Sequence, residues 1–266
     1  MQKKLREYGI NIEANFLKCT HLAAPAMVRT QKFLCALAGA PVIISTDFIE
    51  ACTGPKQKEM PNPQDFLLKD KANEKKFGYK LKDILVRAQT NKRKLLAGVL
   101  IYCTEKIPSG VDTYRSIVEA NGGIFNVYNG KPAIKKITPE QDDGPAEPVY
   151  LLTGLTPAEK QLWPKFTKNA KEGNTIPRVV MTEWILDVAL SQQNKWSDKF
   201  LAAKQWKKSV WFLVFGFWRR ILRTTTFDSV SMNEVRCSWR SEECGDKYPA
   251  AIEMGMPIYD LFALPN

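Results

Sequence analysis

The chain is poor in the residues that build metal and catalytic sites. Its 266 residues include one histidine, His21, and six cysteines, with no Cys-x-x-Cys pair. A structural zinc site needs closely spaced Cys and His ligands, so the sequence predicts no metal. The GxSxG, P-loop and HExxH motifs are also missing, and the carboxylates form no recognisable catalytic pair. We therefore expect a protein that is not an enzyme and holds no cofactor.

Long hydrophobic runs are equally scarce. The N-terminal Met1 to Lys4 stretch has no apolar core of signal-peptide length. The most apolar segment, residues 210–218, is shorter than the roughly 20 residues that cross a bilayer. An interfacial anchor is one interpretation of this segment, and we favour two others, a stretch packed on the body of the protein or sequence from a wrong exon boundary. We expect no membrane partner.

What the chain has in excess is positive charge. The formal net charge is +11 and the hydrophobic share is 44%, which is ordinary for a globular protein. The length allows one or two domains with a real core. A net positive charge favours polyanionic or phosphorylated partners. Cys35 and Cys52 lie among apolar residues, where reduced buried thiols are usual, which indicates an intracellular protein.

One stretch combines these charges with a structural signal. Cys19-Thr-His-Leu-Ala-Ala-Pro25 is typical of a strand that ends at a proline, and Arg29-Thr30-Gln31-Lys32 then predicts the opening of a helix. Because Arg29 and Lys32 are three residues apart, we expect them to share a helix face. The start of a helix favours anions, and the Thr30 hydroxyl adds a donor. The stretch therefore predicts a phosphate-binding position.

Further elements follow this stretch in a recurring order. In the first half of the chain we predict a strand at 41–45, a helix with Phe48 and Cys52, and a pair of helices over 66–90 broken near Gly78. A strand is predicted at 95–98, at the start of an apolar run from Leu96 to Cys103 that suits a strand buried on both faces of a parallel sheet. After it we predict a helix ending at Asn121-Gly122-Gly123, strands at 124–128 and 148–152, and a strand at 176–184 that enters the last helix.

The ordered set resembles the C-terminal tandem BRCT pair of the DNA-damage scaffold family that includes PTIP and its fungal relatives. The resemblance implies an α/β fold in which each repeat is a small parallel four-stranded sheet flanked by helices. Residues 2–9 have the pattern of a helix end, so the first repeat lacks its first strand. We predict a first BRCT repeat at 1–55, a helical and basic linker at 56–94, a second BRCT repeat at 95–204 and a non-BRCT tail at 205–266.

The resemblance also implies a function. The family works in the nucleus as non-enzymatic phosphoprotein-binding adaptors of the DNA-damage response, with other DNA-repair proteins and phosphorylated tails, including a damage-marked histone tail, as partners. By resemblance Lys32 pairs with the phosphate, Thr30 shapes the pocket and Arg29 holds the peptide backbone or a terminal carboxylate. The specificity pocket between the repeats is implied at Leu34, Lys106, Ser109 and Leu186. In the family the missing first strand supplies a Ser or Thr plus a Gly to the phosphate, so we expect weakened binding.

The second repeat is not expected to bind phosphate. Thr104-Glu105-Lys106 stands where the phosphate site of a first repeat would be, but no glycine follows it. The sequence therefore predicts a single phosphate pocket in the chain.

Two other functions stay open. Seven basic residues could let the linker contact the DNA backbone: Lys75, Lys76, Lys80, Lys82, Lys92, Arg93 and Lys94. Only Phe77 and Tyr79 are interleaved with them, so stacking on single strands is poorly supported. The third alternative is a phosphate-independent scaffold in which the linker or residues 210–218 dock a partner.

Overall fold

The computed structural model describes residues 2–54, 59–131 and 146–204. The predicted tail at 205–266, with its apolar 210–218 segment, lies outside the described residues. None of the helices in the described ranges is long and apolar enough to cross a membrane.

The first repeat contains two parallel strands joined by a helix. Its elements are α1 (Gln2–Glu7), β1 (His21–Ala24), α2 (Gln31–Leu37), β2 (Val42–Ser45) and α3 (Asp47–Thr53). In the parallel register His21 lies opposite Val42 and Ala24 opposite Ser45. On its other side β2 meets the linker, because Leu67 forms an antiparallel bridge with Ile44. Within the described residues the sheet of this repeat has two strands.

The linker begins with a 3-10 turn at Pro63–Phe66, followed by α4 (Lys71–Phe77) and α5 (Leu81–Asn91). The predicted break near Gly78 is where the chain turns, because Gly78 adopts a left-handed conformation with φ +77°. That conformation is accessible to glycine at little cost.

The second repeat contains a complete parallel sheet. Its elements are β3 (Leu100–Thr104), α6 (Val111–Ala120), β4 (Ile124–Tyr128), β5 (Glu147–Thr153), α7 (Pro157–Glu172), β6 (Thr175–Met181) and α8 (Thr182–Ser191). The strand order is β4-β3-β5-β6. The central position of β3 explains its apolar sequence, since a parallel strand covered on each face by helices buries successive side chains.

The strand predicted in the apolar run up to Cys103 is confirmed as β3, but its predicted start at 95–98 is wrong, because the strand begins at Leu100. Residues 95–98 form turns, and Gly98 has φ +78°, which ends any extended segment. Leu96 is fully buried, and its N–H donates to the Asn121 carbonyl over 2.8 Å. Leu96 is therefore apolar because its side chain is buried in a turn next to the end of α6, and not because it belongs to a strand.

A shared hydrophobic core joins the two repeats. Helix α2 packs against α6 and α8, and one cluster includes the fully buried Leu34, Ile117 and Ile185. Burying each such side chain stabilises the fold by about 1.5–3 kcal/mol. Within the second repeat, Trp184 of α8 stacks on Tyr150 of β5 with the ring centroids 4.0 Å apart, which fixes the helix that α2 packs against. The first repeat is thus held to the second through the helix that carries Thr30 and Lys32 at its start.

Hydrogen bonds from the linker to α8 reinforce this arrangement. The Tyr79 hydroxyl donates to Asp187 over 3.1 Å, and Arg87 Nε donates to the Ser191 carbonyl over 2.8 Å. Asn91 Nδ2 donates to the Gln192 carbonyl over 3.0 Å. The linker is therefore a packed part of the fold. The α/β fold with parallel sheets flanked by helices is confirmed, while the domain boundaries at 55, 94 and 204 stay predictions.

Candidate functional site

The candidate site begins at the first turn of α2. Thr30 is the cap residue, with extended dihedrals (φ −78°, ψ 152°), and its side chain makes no capping hydrogen bond. Thr30 and Lys32 are exposed, whereas residues 33–38 are buried. Within the described ranges Lys32 has no ion-pair partner. The sequence positions these two polar groups in solvent because the apolar run that follows them fixes the helix in the core.

Arg29 lies outside the helix, which corrects one prediction. Arg29 and Lys32 do not share a helix face, because α2 begins at Gln31 and Thr30 is extended. Arg29 instead turns to the second repeat, where its Nη1 atom lies 2.7 Å from Glu183 Oε2. Its guanidinium also lies 5.5 Å from the centre of the Phe77 ring. Arg29 thus contacts the first turn of α8 and the linker at once.

The segment that carries Arg29 is anchored by Asp70. The buried Met27 donates its N–H to Asp70 Oδ2 over 2.8 Å. The same carboxylate caps α4, accepting from Asn73 N over 3.1 Å and from Asn73 Nδ2 over 2.7 Å. Hydrogen bonds from the Asn73 side chain and from the Met27 backbone hold the pKa of Asp70 below its usual value. The carboxylate is therefore charged at neutral pH and ties the segment before α2 to the linker.

The residues predicted for the specificity pocket lie on two helices and one loop. Leu34 is fully buried in the shared core, so it acts through packing in this structure. Leu186 is half-buried on α8, three residues after Glu183 and hence on the same helix side. Lys106 and Ser109 are exposed in the loop before α6, and Ser109 has φ +69°. Helices α6 and α8 both pack on α2, and the loop that carries Lys106 and Ser109 leads into α6. Their contact with a ligand stays a prediction.

Sequence reasoning missed Glu183 and Asp70. Nothing in the sequence joins Glu183 to Arg29, because the pair forms across the interface between the repeats. Asp70 could have been found, since an Asp placed just before a helical segment is a common N-terminal cap.

Most of the basic linker residues have side chains exposed to solvent. Lys75, Lys76, Lys80, Lys82, Lys92 and Lys94 are exposed. Arg93 differs, because it is half-buried and donates to the Leu17 carbonyl. A Cβ on Gly39 would clash with the Arg93 guanidinium, so Arg93 is packed into the first repeat.

Comparison with known proteins gives the sequence context. The family model of the Regulator of Ty1 transposition protein 107 BRCT domain matches residues 1–68. BRCT-containing protein 1 of Schizosaccharomyces pombe is 32% identical over 200 residues, 73% of this chain and 22% of that protein. PAX-interacting protein 1 of Bos taurus is 29% identical over 57% of this chain and 15% of that protein. Human Mediator of DNA damage checkpoint protein 1 is 31% identical over 44% of this chain and 5% of that protein. The chain therefore spans about a fifth or less of these relatives.

Solved structures share the fold over most of the described residues. The BRCT5-BRCT6 domains of S. pombe Brc1 match with a TM-score of 0.57 and 29% identity, covering 74% of this chain and 91% of theirs. Rtt107p in complex with a phosphorylated histone matches with a TM-score of 0.52 and 21% identity, covering 76% of this chain and 84% of that one. With the two repeats and their shared helical interface, these matches show that the chain belongs to the BRCT family of DNA-damage scaffold proteins and carries a tandem BRCT pair.

Proposed function

We propose that this chain is a non-enzymatic adaptor that binds a phosphorylated serine close to the free carboxyl end of a partner protein. The observation that best supports this proposal lies at the start of α2. There an exposed lysine without an ion-pair partner in the described residues lies two positions after a threonine whose hydroxyl makes no capping bond. An ammonium and a hydroxyl are suitable donors for a phosphate dianion.

Each proposed residue has a distinct role. Lys32 donates to the phosphate and neutralises part of its charge, which is worth about 1.5–3 kcal/mol for a charge-assisted hydrogen bond. Thr30 donates its hydroxyl to a phosphate oxygen. Arg29 binds the carboxylate or backbone of residues that follow the phosphoserine, because its guanidinium has five donors and Glu183 uses only part of them.

The pocket between the repeats would select the residues after the phosphoserine. Leu186 offers apolar surface near Glu183 on α8, and Leu34 supports α2 from the core. Lys106 and Ser109 lie in the loop before α6 and supply polar groups. In the family a Ser or Thr plus a Gly at the end of a first strand completes the phosphate site. The described part of the first repeat supplies Thr30 and Lys32 to such a site.

The relatives support the biological setting of this proposal. One is named as a mediator of the DNA damage checkpoint, and one structural neighbour is a complex with a phosphorylated histone. At 21% identity that neighbour establishes the fold, so histone-tail binding enters here as part of the proposal. We place the protein in the nucleus, where damage-phosphorylated histone tails and DNA-repair partners occur.

A titration with paired peptides tests the proposal. A fluorescent peptide ending in phospho-Ser-Gln-acidic-hydrophobic is compared with its unphosphorylated twin by anisotropy. We expect binding of the phosphopeptide and a loss of at least about 10-fold in affinity without the phosphate. A third peptide with an amidated C-terminus tests Arg29, and we expect weaker binding because the terminal charge is gone. Equal binding of the phosphorylated and unphosphorylated peptides by a folded sample would contradict the proposal.

A second function, contact with the DNA backbone through the linker, is favoured by one observation. The six exposed lysines from Lys75 to Lys94 form a basic stretch on α4, α5 and the turn after them. Its signature would be a steep dependence of affinity on salt together with indifference to peptide phosphorylation. A filter-binding series with a duplex of random sequence at increasing salt distinguishes this function from the first.

A further inference from the structure

The second repeat contains a buried carboxylate at the start of its long helix α7. Glu159 is 2% exposed and accepts hydrogen bonds from three parts of the repeat. The donors are Thr104 Oγ1 at 2.6 Å, Gly154 N at 2.8 Å, Thr156 N at 3.2 Å and Thr156 Oγ1 at 2.6 Å. Burial alone raises the pKa of Glu159, but the bonds from Thr104 and Thr156 outweigh it and hold the pKa below its usual value.

This position corresponds to the candidate site of the first repeat. Helix α7 joins the adjacent parallel strands β5 and β6, as α2 joins β1 and β2. Each helix follows a threonine cap, Thr156 in α7 and Thr30 in α2. The third helical residue differs, since it is Glu159 in α7 and the buried Phe33 in α2. The Thr156 hydroxyl is therefore engaged by the chain itself, whereas the Thr30 hydroxyl makes no capping bond.

The arrangement exceeds an ordinary helix cap. A capping box needs only Thr156 and Glu159, and these form one here. The additional donors come from the ends of β3 and β5, through Thr104 and Gly154. A Cβ on Gly154 would lie 2.5 Å from Glu159 Oε2. The backbone at this position therefore comes so close to the carboxylate that a residue with a side chain would clash with it. The donors converge as they would on a bound anion.

We infer that Glu159 is a built-in anionic ligand that occupies the second repeat's counterpart of the phosphate position and keeps external phosphate out of it. Glu159 is thus a specificity-determining residue that limits phosphate recognition to the first repeat. The correspondence with a phosphate position rests on the proposed function, whereas the occupation of the second repeat's site by Glu159 is tested within that repeat alone. A doubly phosphorylated peptide would gain no second anchor on one chain.

Chemical rescue tests this inference. Glu159→Ala removes the carboxylate and leaves its donors in place. We expect the variant to unfold at a lower temperature than wild type in chloride. Formate at ten times its Kd should raise that temperature by about 3–6 °C, while wild type shows no such rise at the same ionic strength. Glu159→Gln, which fills the space with a neutral amide, should show no formate response.

Two further measurements keep the test decisive. The rescue is repeated in a Lys32→Ala background, where an unchanged formate response separates this site from the first repeat. In wild type, amide resonances of Gly154 and Thr156 are followed by NMR during titration with inorganic phosphate, and we expect no shift. Absence of formate rescue in a folded Glu159→Ala sample, or a phosphate-dependent shift of the wild-type Gly154 amide, would overturn the inference.

Discussion

Replacing Asp70 with alanine probes how firmly the linker holds the segment before α2. The carboxylate caps α4 through Asn73 and accepts the N–H of the buried Met27. Loss of a helix cap costs about 1 kcal/mol. Loss of the charge-assisted bond to Met27 costs about 1.5–3 kcal/mol, because a charged acceptor is removed from the N–H of a buried residue. We therefore expect Asp70→Ala to lower the free energy of unfolding by about 2.5–4 kcal/mol.

Urea denaturation followed by tryptophan fluorescence measures this loss. For a folded region of this size it corresponds to a fall in Tm of about 5–15 °C. Asp65→Ala is the matched control, because Asp65 is an exposed aspartate in the same linker, and its effect should be within about 0.5 kcal/mol. A loss below about 1 kcal/mol for Asp70→Ala, similar to the control, would refute the claim that Asp70 anchors the Arg29 segment.

The pH dependence of the same variant follows from the lowered pKa of Asp70. A carboxyl group whose folded-state pKa lies below its unfolded value adds stability above the unfolded pKa. That stability is lost as the pH falls through the folded value. The difference in the free energy of unfolding between wild type and Asp70→Ala should thus be largest near neutral pH and shrink in acid. If the stability difference between wild type and the variant instead grew as the pH fell, the result would contradict a lowered pKa of Asp70 in the folded protein.

Other predictions concern the linker and the thiols. Replacing Lys75, Lys76, Lys80 and Lys82 with glutamine should slow peptide association in stopped-flow traces and flatten its salt dependence. The ratio of Kd values for phosphorylated and unphosphorylated peptides should stay the same, and a changed ratio would contradict this role. Burial raises the pKa of Cys35 and of Cys103 to about 12, so peptide mapping after maleimide treatment of the native protein at pH 8 should find the two unlabelled. Rapid labelling of Cys35 would show that α2 is not packed as described.

Local patterns in the sequence predicted most elements because their signals lie within a few residues. The apolar spacing of residues 111–120 and the turn at Gly78 sufficed to place α6 and the break between α4 and α5. The strand at 95–98 was misplaced, because a buried Leu96 in a turn has the same apolar signature as a strand residue. What separates the two is the left-handed Gly98 and the hydrogen bond to Asn121, and neither is visible in hydropathy alone.

The candidate site was predictable only in part. Lys32 and Thr30 lie together because they are neighbours in sequence, so pattern reasoning could place them at the start of α2. Arg29 is positioned by Glu183 and Phe77, which come from other elements and from a docking geometry that no local pattern encodes. The carboxylate of Glu159 likewise accepts hydrogen bonds from Thr104 and Gly154 at the ends of β3 and β5, and no local sequence pattern predicts that these donors meet it.

The most direct test of the central claim is the phosphopeptide affinity of Lys32→Ala beside that of Lys165→Ala. Lys165 is an exposed lysine on α7, so its replacement removes the same charge away from the candidate site. The account predicts that Lys32→Ala weakens phosphopeptide binding by about 10- to 150-fold and abolishes the preference over the unphosphorylated twin, while Lys165→Ala stays near wild type. An unchanged phosphate preference in a folded Lys32→Ala protein would contradict it.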